Sequence, residues 1–447
     1  MTTLAYEQRK QRLSEFLRQH AGARVRLGKS TSNLFRDRKD VDSKRLDVRD
    51  FNNVLHVDPE AGVIEVEGMT PYAKLVEESL KHGVMPSVVP QLKSITIGGA
   101  VTGCGIESSS FRYGLVHETA DELEVLLPDG STVVCTPTNE HSDLFFGFPN
   151  SYGTLGYALR IKVKALPVKR YVQLTHLRYS EPTGYFRDLQ RWCDTADVDF
   201  VDGVVFGRSE MYLTLGRFVD DAPYVSDYTY GRIYYRSIRE RDTDYLTTSD
   251  YIWRWDTDWF WCSKNLGAQN PLLRRLYGRK RLNSVTYTKI MRWNSRVGLT
   301  RALNRVLGVH AESVIQDVEL PIENCVEFFN FYHDTVRFLP VWICPTRAYR
   351  SDVQFDLYRL DPRKLYVNFG FWDVIRSRTP LAPGFHNRQI EHKVRELGGM
   401  KSLYSDSYFT TEEFWRIYHR EAYERLKRRY DPAQRLPDLY TKCVLKE

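Results

Sequence analysis

The residues whose types and spacing best suit chemistry lie between Ser94 and Gly114. Five glycines sit there among small and hydroxylated side chains, with almost nothing bulky before Phe111. Glycine permits positive φ and lets a backbone approach a ligand closely. Successive N–H groups in such a loop form an anion-binding concavity suited to a diphosphate. In a chain with 28 Tyr, 22 Phe and 9 Trp, this predicts a nucleotide-containing cofactor. Two familiar phosphate motifs do not apply. Gly103-Cys104-Gly105 opens like a dinucleotide fingerprint, but Ser108 stands where the third glycine belongs. Gly28-Lys29-Ser30 resembles the end of a P-loop, but Ala23 replaces its first glycine.

The elements that must position this run alternate short strands with helices. Val63–Gly68 reads as a strand, and Pro71–Gly83 as a short helix opened by proline and closed by glycine. Residues 122–137 read as a hairpin with a Pro-Asp-Gly turn, and Tyr157–Val168 as a closing strand. From about Val168 aromatic residues become dense and a new β pattern begins. Residues 201–219 read as paired strands, 259–311 as mainly helical, and 314–322 and 363–372 as strands again. Thr410–Arg429 reads as one helix, capped by Thr410 with Glu413 three residues on. The pattern predicts an α+β fold.

Three stretches carry a family resemblance: Gly105–Gly114 (GIESSSFRYG), Asp121–Pro137 (DELEVLLPDGSTVVCTP) and His141–Val172. Together they resemble the flavin domain of the vanillyl-alcohol-oxidase-type (PCMH-like) FAD enzymes. Residues 314–334, 337–345 and 397–415 extend the likeness to the sterol side-chain reductases and to bacterial oxidoreductases of branched fatty acyl chains. The resemblance covers the chain from about Leu46 onward. It implies a two-subdomain FAD-binding domain over 1–167, a cap or substrate domain over 168–402, and a C-terminal segment, 403–447, that packs back towards the flavin through Leu403–Phe409.

The resemblance also implies the cofactor contacts. Thr96, Ile97, Gly98, Gly99, Thr102, Gly103, Gly105 and Ile106 would wrap the FAD diphosphate. Glu107, Ser108, Ser109, Ser110, Tyr113 and Gly114 would continue along the ribityl and adenosine side, and Gly153, Thr154, Leu155 and Gly156 would lie against the adenine. The other wall would come from Arg26–Phe35, which has one glycine and no histidine, so the FAD is expected to be non-covalent. A histidine often follows the family's ESSS segment. Phe111 stands there instead, leaving Arg112 and Tyr113 as the nearer polar candidates.

A flavin handles the hydride, and the protein handles orientation and protons. Reducing an isolated alkene requires a general acid near the flavin and a dry aromatic pocket for a cationic intermediate. Tyr404, Asp406 and Tyr408 are candidates for the acid, as is Asp317, which suits a structural acceptor role equally well. His117, His333 and His386 are weaker candidates. The family's usual electron donor is NADPH, and the sequence leaves NADPH and NADH open. Oxidation of a methyl-branched acyl lipid is the alternative direction, and a non-catalytic lipid-binding relative is the alternative class.

The composition, 42% hydrophobic and 27% charged, is that of a soluble globular protein. No run is long and apolar enough for a membrane span, and the charged N-terminus is not a secretory signal. The seven cysteines have no C-x-x-C spacing, which points to reduced thiols in a cytosol. Trp259–Ala311 holds eleven Lys and Arg and no Asp or Glu, so the net charge of +7 belongs to this region. Trp259–Trp261 and the arginines interleaved with Leu, Ile, Val and Trp suit an anionic membrane surface. In the later part, Arg292, Arg296 and Arg305 stand partly apart from Ile290, Val297, Leu303 and Leu307. A solvated basic surface of the cap is the alternative, and no nucleic-acid motif accompanies these residues. The expected partners are a lipid substrate, that membrane surface, and a lipid methyltransferase acting in the same pathway. The expected location is cytoplasmic, peripheral on the inner face of the membrane.

Overall fold

The computed structural model describes residues 3–29, 39, 41–195, 197–298, 300, 304 and 306–447. Two antiparallel sheets organise them. The first runs Val54–Asp58, Val63–Glu67, Tyr157–Pro167, Ala120–Leu126, Thr132–Cys135, with Val84–Pro86 also paired to the long Tyr157–Pro167 strand. The second has eight strands and begins at Tyr171 in the chain. Its neighbours run Thr243–Thr247, Tyr171–Tyr179, Glu210–Val219, Phe200–Gly207, Val341–Arg347, Leu365–Ser377, His310–Pro321 and Met400–Lys401. A small parallel pair, Val25–Leu27 with Lys44–Leu46, stands beside them.

The eight-stranded sheet has two unlike faces, and the period of two in its strands assigns each residue to one of them. Val314, Val318 and Leu320, with Val367, Phe369 and Phe371 of the next strand, are buried in one apolar layer with helices Pro182–Thr195, Cys325–Thr335 and Phe385–Glu396. The intervening residues, among them Asp317, Glu319 and Trp372, look into a cavity on the other side. The edge strand Met400–Lys401 registers Lys401 against Val318 and Met400 against Glu319. Buried Lys401 then fixes the turn that follows: its Nζ donates to the Asp406 carbonyl (2.8 Å) and to Ser407 Oγ (2.7 Å).

The β pattern, the Pro-Asp-Gly hairpin and the capping box at Thr410 and Glu413 all appear. One long helix does not. Thr411–Ile417 and Arg420–Tyr430 are separate helices, broken at His419 with φ +53°. The described residues of 259–311 are mainly helical, with Pro271–Tyr277 and Ser284–Val297 as the longer helices among them. Ser30–Phe35 of the expected cofactor wall lies outside the described residues, as do Leu303 and Arg305 of the basic region.

Candidate active site

One cavity of about 420 Å³ lies between the two sheets. One part of its wall comes from the glycine-rich run, as a short helix, Ile97–Thr102, capped by Thr96. Thr96, Gly98, Gly99, Thr102, Gly103, Gly105 and Ile106 all line the cavity, whereas Ile97 is turned into the core. The expected row of free N–H donors is largely used up by the protein. Ile97 N–H donates to the Thr70 carbonyl, Gly98 N–H to the Gly68 carbonyl, Gly99 N–H to Thr96 Oγ1 and Gly105 N–H to the Ala100 carbonyl. The glycines therefore serve steric access more than hydrogen bonding. A Cβ on exposed Gly99 would meet only Thr96 Oγ1, at 3.0 Å, so its Cα presents bare backbone to a ligand.

The second loop contributes Gly153 and Gly156 to the wall, together with Tyr152. Asn150, Tyr152, Gly153 and Gly156 all take positive φ, which folds this loop tightly. Thr154 and Leu155 are buried behind it: Thr154 Oγ1 donates to the Ser151 carbonyl (2.8 Å), and Leu155 is core. These two residues do not reach the cavity.

The structure gives the ESSS segment a different task. Arg254 Nη2, fully buried, donates to Glu107 Oε1 and to Asp202 Oδ2, each at 2.8 Å. Ser108 Oγ donates to Glu107 Oε1 (2.8 Å) and meets the Tyr251 hydroxyl (2.9 Å). Ser109 Oγ donates to the Ser87 carbonyl (2.7 Å), and Ser110 Oγ accepts from Glu107 N–H (3.1 Å). These residues bolt the first sheet region to the second and do not line the cavity. Tyr113 stacks on Tyr349, Arg112 donates to the Val198 carbonyl, and Gly114 has no room for a side chain beside the Glu118 carboxylate. None of the three lines the cavity.

Cations that sequence reading missed converge on the same cavity from both ends of the chain. Arg24, Arg26, Lys29 and Lys39 come from the N-terminal part, and Lys442 and Lys446 from the C-terminal part. Buried Gln91 lines the wall with its Nε2 donor unpartnered among the described residues. Aromatic rings form a further part of the wall. Phe260 lies 4.4 Å from Trp372 and 5.4 Å from Trp342, centroid to centroid. Trp259 and Phe260 take φ +45° and +58° in succession. Such non-glycine strain persists only where the surroundings enforce it. Trp259, Phe260 and Trp261 are therefore buried in the wall and core, which corrects their expected place on a membrane surface. Bare glycine backbone, an orphan amide donor, clustered cations and aromatic faces fit a flavin dinucleotide.

Acid groups face the same space. Asp317 and Glu319 alternate with Val318 on one strand and both line the cavity. Opposite Asp317 stands Gly370, where a Cβ would lie 2.6 Å from both Asp317 Oδ1 and the Trp372 ring. The missing side chain gives the carboxylate and the indole their room. Asn368 Nδ2 donates to Asp317 Oδ1 (3.0 Å). Trp372 Nε1 donates to the Tyr404 hydroxyl (2.8 Å), which in turn hydrogen-bonds Asp317. Burial raises the Asp317 carboxyl to about 6, against the pull of Asn368 and Tyr404. Burial pushes Glu319 to about 8, with the nearby Asp317 charge adding to the rise, although the Tyr358 hydroxyl donates to it. Between these values the pair holds one proton.

Tyr404 and Asp317 thus stand at the site, but two other candidates for the acid do not. Asp406 pairs with Lys446 (3.0 Å) and Tyr408 packs over Gly384, and neither lines the cavity. Among the histidines, burial drives His117 down to about 3, and His386 binds Glu312. Glu319 was missed in the sequence, although its spacing of two from Asp317 on an expected strand puts both on one face.

The comparisons with known proteins agree with this geometry. Residues 8–136 match the model of an FAD binding domain family. The chain is 26% identical over 402 residues to the Delta(24)-sterol reductase of Mus musculus, covering 87% of this chain and 76% of that protein. It is 25% identical over 454 residues to the Delta(24)-sterol reductase of Pisum sativum, covering 91% and 78%. A shorter likeness, 27% over 158 residues, joins it to cytokinin dehydrogenase 10 of Oryza sativa subsp. japonica, covering 34% and 28%.

Proposed function

We propose that this FAD-dependent oxidoreductase reduces an isolated carbon–carbon double bond in a lipid at the expense of NADPH. The substrate class is a trisubstituted or exomethylene alkene, on a sterol side chain or a branched acyl chain. The observation that carries this reading is the carboxyl pair of half-buried Asp317 and buried Glu319, without a cation partner among the described residues and facing an aromatic wall.

Thr96, Gly98, Gly99, Thr102, Gly103, Gly153, Gly156 and Gln91 would hold the cofactor, with the cations of the chain ends taking up phosphate charge. Bound FAD supplies a hydride equivalent to carbon. The chain's own residues handle the proton. Glu319, protonated near neutral pH, donates it to the less substituted alkene carbon. Phe260, Trp342 and Trp372 hold the resulting tertiary cation against their faces and exclude water. Tyr404 and Asp317 orient this corner through the chain of hydrogen bonds that starts at Trp372 Nε1. The proton from Glu319 and the hydride equivalent that bound FAD would supply, drawn from NADPH, together account for the two hydrogens of the saturated bond.

Stopped-flow spectroscopy without oxygen tests the proposal. NADPH should bleach the flavin, and a methylene-branched lipid or a sterol alkene should restore its colour with one saturated product per flavin. A flavin left oxidised by NADPH and reduced by a saturated methyl-branched lipid would reverse the assigned direction.

A further inference from the structure

We propose that the helices Pro271–Tyr277 and Ser284–Val297 form a docking face for an anionic lipid bilayer. Pro271–Tyr277 is inside out for a helix facing water. Leu272 and Leu276 are 70% and 76% exposed, while Arg274 between them is only 5% exposed and bound to Asp258 through two nitrogens, at 2.7 and 3.0 Å. Burying those leucines in protein would have been favourable, so their outward placement calls for an apolar phase outside the chain.

The next helix continues the face. Ser284, Tyr287 and Thr288 point inward, and Val285, Lys289, Trp293, Arg296 and Val297 form one outward stripe. The stripe mixes cations with apolar groups, where the sequence had suggested partly separate faces. Trp293 is 57% exposed, and an amphipathic indole of this kind settles at headgroup level. Tyr277 and Tyr287 touch at 6.3 Å between ring centroids and hold the two helices side by side.

Of the fifteen exposed large apolar side chains among the described residues, eight fall between Leu272 and Leu307, so the apolar exposure is concentrated here. Charge selects the occupant. Trp259–Ala311 contains no Asp or Glu. Arg275, Lys280, Arg281, Lys289, Arg292 and Arg296 have no acidic partner among the described residues. A second copy of this face would meet it with like charge, whereas an anionic bilayer offers both headgroups and acyl chains. Among the described residues no helix is long and apolar enough to cross a membrane, so the contact is interfacial.

This deepens the proposed function by naming the phase from which the lipid comes. Its test does not depend on turnover. The purified full chain is sedimented with vesicles of phosphatidylcholine alone or with phosphatidylglycerol added. Binding should require the anionic lipid and weaken with salt. Leu272→Ser/Leu276→Ser/Trp293→Ser should weaken it more than about tenfold. Each of Lys280→Gln, Lys289→Gln and Arg296→Gln should cost about fivefold. All variants should keep the wild-type flavin spectrum and turnover on detergent-dispersed substrate, which reports an intact fold. Wild type that stays in the supernatant with anionic vesicles would overturn the proposal. So would binding that the variants leave unchanged, or a dimer in solution that the triple variant dissolves. Loss of turnover with binding intact would count against the reductase reading alone.

Discussion

The acidic pair Glu107 and Asp202 and the acidic pair Asp317 and Glu319 are neutralised in opposite ways. Glu107 and Asp202 share the guanidinium of Arg254. Asp317 and Glu319 have no cation among the described residues, only Asn368, Tyr404, Tyr358 and a retained proton. A buried charge must be paired, or it must be given up. The first pair takes the ionic solution and ties two parts of the chain together. The second takes the protonic solution, which keeps a transferable proton facing a cavity. Burial alone therefore does not mark the reactive acids. The kind of partner does.

Replacing glycine in the cradle separates the cofactor from both pairs and has the largest effect. Gly99→Asp puts a carboxylate and bulk where the backbone is bare, and the protein should purify folded but colourless. Stoichiometric FAD in that variant, read from its absorption spectrum, would refute the placement of the cofactor.

Arg254→Gln attacks the ionic pair. It leaves two carboxylates buried without their cation, and unfolding should become easier by about 3–5 kcal/mol. Denaturant melts measure this, and an unchanged midpoint would show that the joint is dispensable.

Glu319→Gln attacks the protonic pair and should leave FAD bound while turnover falls about 10²–10⁴-fold. Wild-type turnover should decline as pH rises through about 8, where Glu319 loses its proton, and the variant should lack that limb. The same group sets a stability trend. The folded state keeps a proton that the unfolded chain has lost, so wild type loses stability as pH rises from the ordinary glutamate range through about 8. Thermal melts of Glu319→Gln against wild type should show the variant gaining relative ground at high pH.

Tyr404→Phe removes one hydrogen-bonding hydroxyl and should cost about tenfold in turnover. Wild-type turnover in this variant would reduce the chain from Trp372 to Asp317 to a packing feature.

Much of the scaffold was legible from local rules. Period-two alternation in 314–321, the Pro-Asp-Gly turn and the box at Thr410 and Glu413 each reflect forces acting within a few residues. The glycine run was also legible as a cavity wall. The task of Glu107–Ser110 was not, because Arg254 and Asp202 reach it from far along the chain. The cations of the chain ends were hidden for the same reason. Trp259–Trp261 read as surface from the basic residues that follow it, yet the backbone turns all three rings inward. The break at His419 left no mark in the helical pattern of residues 410–429.

The most direct test of the central claim is a single-turnover experiment without oxygen. Enzyme reduced by one equivalent of NADPH in deuterated water is mixed with a methylene-branched acyl lipid or a sterol alkene, and the product is read by mass spectrometry. The account predicts one solvent deuterium on the less substituted carbon, with Glu319→Gln slowing its appearance far more than it slows flavin reduction. A saturated product without solvent deuterium at that carbon, or equal rates in wild type and Glu319→Gln, would contradict it.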